Sequence, residues 1–329
     1  MADQTQPMVE LNDGAWIPQF GLGVFQVPPE MTAQVVRQAV ELGYRAVDTA
    51  SMYRNEAGVG EALEGRTDVF VTTKLGNSDH GFDPVLRAFD ASAQKLRRAT
   101  LDLYLIHWPR PRVDRYVDSW KAFVRLQREG RIRSIGVSNF NRDHLERIIG
   151  ETGVTPAVNQ IELHPRFQQE ALRAFHDERG IKTESWSPLG RGALLDDPII
   201  MSIASKHGKT PAQVVIRWHL DSGLIVIPNR CIPIASPKTS ARSTSAWKTT
   251  TSDASEPSTR PAAGSVRIRQ PPPSDPRPAR IDCRALDPAS RAGRFAATAK
   301  CQTVRVTFIR CGGWSGSRPR RRATASARR

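Results

Sequence analysis

The stretch Leu101-Asp102-Leu103-Tyr104-Leu105-Ile106-His107-Trp108-Pro109 decides the fold. A short apolar run ends abruptly in a histidine, a pattern that fits a strand covered on both faces. The same pattern repeats outward in both directions. Apolar or β-branched runs lie at 46–47, 69–73, 135–137, 157–161, 182–185 and 224–227. Between them, apolar residues recur at helical spacing over 32–43, 85–96, 116–128, 142–149, 168–179, 199–207 and 211–222. Thr32 is the expected cap of the first of these helices and Gly43 its expected stop. Ahead of them, 8–25 reads as a hairpin turning at Asn12-Asp13-Gly14. Seven strands alternating with helices predict a parallel α/β fold. A doubly wound sheet would carry a Gly-rich phosphate loop after its first strand. Here that position reads Asp48-Thr49-Ala50-Ser51, and no GxGxxG occurs. A (β/α)8 TIM barrel with an N-terminal β-hairpin and its eighth βα unit missing fits better.

The strand ends carry the chemistry. Asp48, Lys74, His107, Ser138 with Asn139, Gln160, and Trp186 with Ser187 each close a run. A single buried Lys or Asp is as well explained by a structural ion pair. Six such endings at one level of a barrel point instead to an active site, since barrel chemistry sits at the C-terminal ends of the strands.

Charge divides the chain. Of 48 Lys+Arg and 33 Asp+Glu, residues 1–229 hold 27 and 28, a net of −1, leaving 21 and 5 in 230–329, a net of +16. All four cysteines (Cys231, Cys283, Cys301 and Cys311) lie in that last part at spacings that match no zinc or disulfide framework. No metal site is expected. No apolar stretch approaches the roughly 20 residues of a membrane helix, and the polar start lacks a signal-peptide core. A cytoplasmic protein with no membrane partner is the expectation.

The motifs DTAxxYxNE (48–56), VTTKL (71–75), LDLYLIHWP (101–109), GVSNF (136–140), NQIELHP (159–165) and SWSPLGRG (185–192) resemble the aldo-keto reductase superfamily, and most of all the bacterial 2,5-diketo-D-gluconate reductases. The resemblance covers about Val9 to Pro228. It implies an NADPH-dependent reductase of a small aldehyde or ketone, a monomer, with the catalytic tetrad Asp48, Tyr53, Lys74 and His107. Tyr53 would donate the proton, and Lys74, held by Asp48, would favour tyrosinate character. His107 would polarise the substrate oxygen. By the same resemblance Ser138, Asn139 and Gln160 would bind the nicotinamide carboxamide, and Trp186 would stack on the ring. Ser187, Leu189 and the glycines of 190–192 would approach the pyrophosphate. Phe25, Trp108 and Met52 would wall the substrate pocket. His80, His144, His176, His207 and His219 are expected on helix or loop surfaces without a role, and His164 in a structural one. Two departures stand out: Arg54 where the family often has Gly, and a short link at 64–68.

The resemblance stops after Ile227-Pro228-Asn229. Domains are therefore expected at 1–229, the barrel, and 230–329, a basic low-complexity tail rich in Pro, Ser, Thr and Arg with the composition of disorder. A reading-frame slip near 229–230 would account for the change. With GC-rich codons read from the third base, 235–240 can yield IAENF, 246–255 VEDDDLGRI and 262–271 GRIGPDPAT, family-like pieces in order. Such a frameshift would remove the family's 2′-phosphate clamp and leave the sheet edges unpaired. Two other functions become open in that case: an inactive barrel that binds without turnover, or nonspecific, salt-sensitive nucleic-acid binding through the basic tail. Specific nucleic-acid recognition is not expected.

Overall fold

The computed structural model describes residues 6–229. The basic tail expected at 230–329, the frame slip and the four cysteines lie outside the described residues.

The hairpin is shorter than its sequence suggests. Strands β1 (Met8–Glu10) and β2 (Trp16–Pro18) pair antiparallel. Gly14, at φ 82°, makes the turn between them. The next element is already the first barrel strand, β3 (Leu22–Gly23). The chain then alternates: α1 (Pro29–Glu41), β4 (Ala46–Asp48), a 3₁₀ turn Ser51–Tyr53, α2 (Glu56–Ala62), β5 (Phe70–Leu75), α3 (Phe82–Leu96), β6 (Leu101–Ile106), α4 (Tyr116–Arg128) and β7 (Ile132–Ser138). It continues with α5 (Arg142–Thr152), β8 (Val158–Glu162), α6 (Glu170–Arg179), β9 (Lys182–Trp186), α7 (Pro198–His207), α8 (Pro211–Asp221) and β10 (Ile225–Val226).

β3 to β10 form one eight-stranded parallel sheet in chain order. Its ends meet. Phe20 bridges Val226 in parallel, Gly21 N donates to Val226 O at 2.9 Å, Val226 N to Gln19 O at 3.0 Å, and Gly23 N to Pro228 O at 3.0 Å. The expectation of a missing eighth strand and of unpaired edges is thus corrected. The run at 224–227 is the eighth strand, and the first, with two ladder residues of which one is Gly23 and with Gly21 beside them, was too short and Gly-rich to stand out from the hairpin. The expectation of a missing eighth helix lies outside the described residues.

Helix limits obey local chemistry. α7 and α8 open on Asp197 and Thr210 as N-caps, each followed by Pro at the first helical position. Thr32 is not a cap: α1 starts at Pro29, and the Thr32 hydroxyl donates back to Pro28 O at 2.9 Å.

The barrel interior is layered. Leu11 and Ile17 of the hairpin pack on Leu103, Leu105, Val158 and Ile225, closing one end with apolar side chains. Gly136 leaves room for this layer, because a Cβ there would lie 2.7 Å from Leu105 Cδ2 and 2.6 Å from Val158 O. Side chains of alternate residues share a face of a strand. Counting by twos from Leu103 and Leu105 reaches His107, and from Val158 reaches Gln160. Polar groups thus form the next layers toward the strand C-termini. Outside, Val71, Tyr104, Ile106, Ile135 and Val137 pack against the helices through Phe89, Trp120, Phe123 and Leu145.

Candidate active site

Lys74 is fully buried in β5, and its ammonium donates to Asp48 Oδ1 at 2.6 Å and to Thr49 O at 2.9 Å. Asp48 ends β4 and is also buried. A buried unpaired charge would be expensive, so these two groups require one another. Tyr53 sits in the 3₁₀ turn with Lys74 Nζ 5.1 Å from its ring centroid. His107, one residue past β6, meets the Tyr53 ring edge-on at 5.7 Å. The structure therefore brings Asp48, Tyr53, Lys74 and His107 together, although they are spread over about 60 residues of sequence.

Arg54 explains its own oddity. It takes φ 60°, the left-handed conformation that terminates the 3₁₀ turn and that glycine adopts without strain. The rest of the motif is structural. Asn55 accepts from Thr49 Oγ1 at 2.7 Å and donates to Val24 O at 2.9 Å, tying the turn to the end of the first strand. Glu56 accepts from Thr73 Oγ1 at 2.7 Å.

Gln160 lies in the same layer. Its amide nitrogen donates to Asp48 Oδ2 and to Glu184 Oε2, both at 2.9 Å. Sequence reasoning passed over Glu184, which is buried in β9. The available signal was parity: Glu184 is two residues before Trp186, so both face inward. Asn139, at φ 63°, donates to His107 O and Ser138 Oγ at 3.0 Å each and accepts from Trp186 Nε1 at 2.9 Å. Ser138 Oγ donates to Gln160 O at 2.9 Å. These bonds lock the ends of β6, β7, β8 and β9 to one another. Ser187, at φ 49°, and Leu189 come after β9 and are half-buried. Phe25 stacks obliquely on Tyr53 at 5.0 Å, and Phe25, Trp108 and Met52 each expose 43–50% of their surface.

The electrostatics differ from the simple expectation. Burial pushes the Tyr53 phenol above its ordinary value, outweighing the opposing pull of the Lys74 charge, while Asp48 and Glu184 push it further up. Tyr53 is therefore held as a protonated phenol, because burial outweighs the pull of the lysine charge toward tyrosinate. Burial works against the Lys74 charge, but Asp48, Tyr53 and Glu184 together hold its pKa above normal. Burial, and then Lys74, push His107 down to about 3, so the ring is neutral. Its Nδ1 is buried and finds no hydrogen-bond partner among the described residues.

Three histidines expected at surfaces are buried: His80, His176 and His219. His176 bonds Asn159 Nδ2 at 2.9 Å and Thr183 Oγ1 at 2.8 Å; His219 bonds Val215 O and Leu163 O. The helical pattern missed these last two because a buried neutral histidine packs like an apolar residue; with a single N–H, His219 donates to Val215 O or to Leu163 O, not to both. Among the described residues, no helix is long and apolar enough to cross a membrane.

Known proteins resemble this arrangement over the same span. A Mycolicibacterium smegmatis aldo-keto reductase is 57% identical over 231 residues, covering 69% of this chain and 84% of its own. Methylglyoxal reductase DkgA of Escherichia coli is 51% identical over 239 residues, covering 71% and 86%. The crystal structure of a Gox0644 mutant in complex with NADPH superposes with a TM-score of 0.69 at 58% identity, covering 70% of this chain and 84% of that one. The sequence profile of the Aldo/keto reductase family matches residues 14–254, extending past residue 229. With the profile matching most of its length and an Asp–Lys pair set under a tyrosine and a neutral histidine, the chain belongs to the aldo/keto reductase family of carbonyl oxidoreductases.

Proposed function

We propose that the chain reduces small aldehydes and ketones with NADPH, as a reductase of 2,5-diketo-D-gluconate type. Tyr53 is the proton donor, Asp48 and Lys74 its supports, and His107 the group that orients the substrate oxygen. The observation that carries this reading is the buried Lys74–Asp48 pair at 2.6 Å placed under Tyr53. Two relatives support the finer part: one is named for methylglyoxal, a small dicarbonyl, and one was crystallised with NADPH.

The site suits a nicotinamide. Gln160 spends both amide hydrogens on carboxyl oxygens of Asp48 and Glu184, so only its Oε1 acceptor remains to offer a carboxamide. Trp186, half-buried and held by Asn139, presents an aromatic face, with Ser138, Ser187 and Leu189 beside it. NADPH, when bound, supplies the hydride. The protein does the rest. His107, neutral, donates a hydrogen bond to the carbonyl oxygen where negative charge develops. Tyr53 then delivers its proton to that oxygen, and the cationic Lys74 stabilises the phenolate left behind. Phe25 and Trp108 exclude water from the exchange.

The test is an NADPH titration of the full chain by tryptophan fluorescence. NADPH oxidation is then measured with methylglyoxal and with 2,5-diketo-D-gluconate as separate substrates. Saturable quenching and turnover abolished by Tyr53→Phe support the proposal. Quenching without turnover on any small carbonyl indicates the inactive-barrel alternative, and no quenching from a folded chain rejects the cofactor site. The frame slip is part of the same proposal, and the gene sequence around 229–230 decides it by the presence or absence of a nearby insertion or deletion.

A further inference from the structure

Two buried carboxyls and one ammonium share the polar layer inside the barrel. Asp48 has Lys74; Glu184 makes no ion pair among the described residues and is joined to Asp48 only through the Gln160 amide nitrogen. Glu184 is 1% exposed. With both carboxyls ionised the layer would carry a net negative charge away from water, which is costly. The layer therefore keeps one proton, and the residue without a cation is the one to carry it.

We propose that Glu184 is a positioning residue that carries the exchangeable proton of this layer, fixes the orientation of Gln160, and sets the upper pH limit of proton delivery by Tyr53. The last part rests on the reductase reading above; the first two do not. Orientation comes from donor count. Rotating the Gln160 amide by half a turn would set its oxygen against the Asp48 carboxylate, so the nitrogen stays inward, where Glu184 also accepts from it, and the oxygen outward. The groups facing Glu184 are Asp48 from β4, Lys74 from β5, Gln160 from β8 and, at longer range, Tyr53; its neighbour on β10 is the apolar Ile225. Burial first, and then the Asp48 charge, hold Glu184 protonated up to about 8. Above that pH a second negative charge enters the layer. It strengthens the hold of Tyr53 on its proton and slows donation.

The experiment tracks the side-chain carboxyl carbons of isotope-labelled glutamate and the side-chain amides of labelled glutamine in the full chain, by NMR, from about pH 5 to about pH 9. One carboxyl is expected to titrate near 8, with the Gln160 amide signals shifting at the same midpoint, and both transitions should vanish in Glu184→Gln. That substitution keeps the side chain's shape, and the wild-type titration needs no variant. Absence of any glutamate titrating above about pH 7, or a midpoint near 8 that survives in Glu184→Gln, overturns the proposal. On the same samples, kcat should step down to a lower plateau across the same midpoint in the wild type. In Glu184→Gln the step should be absent. A step that survives refutes the link to Tyr53. If neither protein turns over while the carboxyl titrates as expected, the reductase reading fails and the role of Glu184 in holding Gln160 stands.

Discussion

Replacing Lys74 with methionine tests whether the ammonium exists chiefly to hold a buried carboxylate. Met fills much of the same volume, so the main change is electrostatic. Asp48 loses its 2.6 Å partner and keeps only the Gln160 bond. Breaking a buried pair by removing one member costs roughly 3–5 kcal/mol. Asp48 has a cheaper escape, which is to take up a proton. From an ordinary carboxylate value of 3.8, protonation at pH 7 costs about 4 kcal/mol and at pH 5 about 1.5 kcal/mol. The destabilisation should therefore shrink by about 2.5 kcal/mol between those pH values. Urea unfolding of wild type and Lys74→Met at both pH values, monitored by tryptophan fluorescence, measures it. The double variant Asp48→Asn with Lys74→Met, which leaves no charge on this pair, should recover about 2 kcal/mol relative to Lys74→Met at pH 7. A loss independent of pH, or a double variant no better than the single, would refute this reasoning and assign the lysine a packing role.

The same contacts support further tests. The neutral His80, His107 and His176 are held down at about 4, 3 and 4, against an ordinary 6.5. Their folded pKa values are depressed, so stability is fullest above 6.5 and is lost as pH falls. Each contributes a drop of up to about 2 kcal/mol between about pH 6.5 and 5. The urea midpoint should fall in step, and His176→Gln should lessen the slope; an equal slope counts against it. Gly136→Ala places a methyl 2.6 Å from Val158 O, a backbone atom that yields little. It should lower stability by about 1–3 kcal/mol in thermal unfolding, whereas no loss would mean that β7 and β8 move apart freely. Trp186→Phe removes the bond to Asn139 Oδ1 and leaves a ring free to tilt. KM for NADPH should rise up to about tenfold with a smaller change in kcat, and an unchanged KM would show that the indole bond does not set the ring's position.

Much was legible in the sequence because the strand ends announce themselves. An apolar run that stops at an Asp, Lys, His or Gln leaves that polar group at the mouth of a barrel, and Asp48, Lys74, His107 and Gln160 lie at such strand ends, with Tyr53 in the turn after β4. Local pattern also located the helices, apart from the short α2 (Glu56–Ala62) and the start of α1. Three things needed the tertiary structure. The first barrel strand has only two ladder residues and becomes a strand through pairing with 46–48 and 226–228, segments that lie elsewhere in the sequence. His176 and His219 each satisfy a ring nitrogen through a group on another element, which no spacing along one helix reveals. Glu184 reads as a polar residue in a short strand, and only the closed barrel brings its carboxyl to Gln160 and, through that amide, to Asp48. Residue types and period determined which groups exist and which way they face. The distances among Asp48, Lys74, Gln160 and Glu184, and hence which group keeps its proton, were decided by the closure of the sheet, since burial and charge act through space and not along the chain.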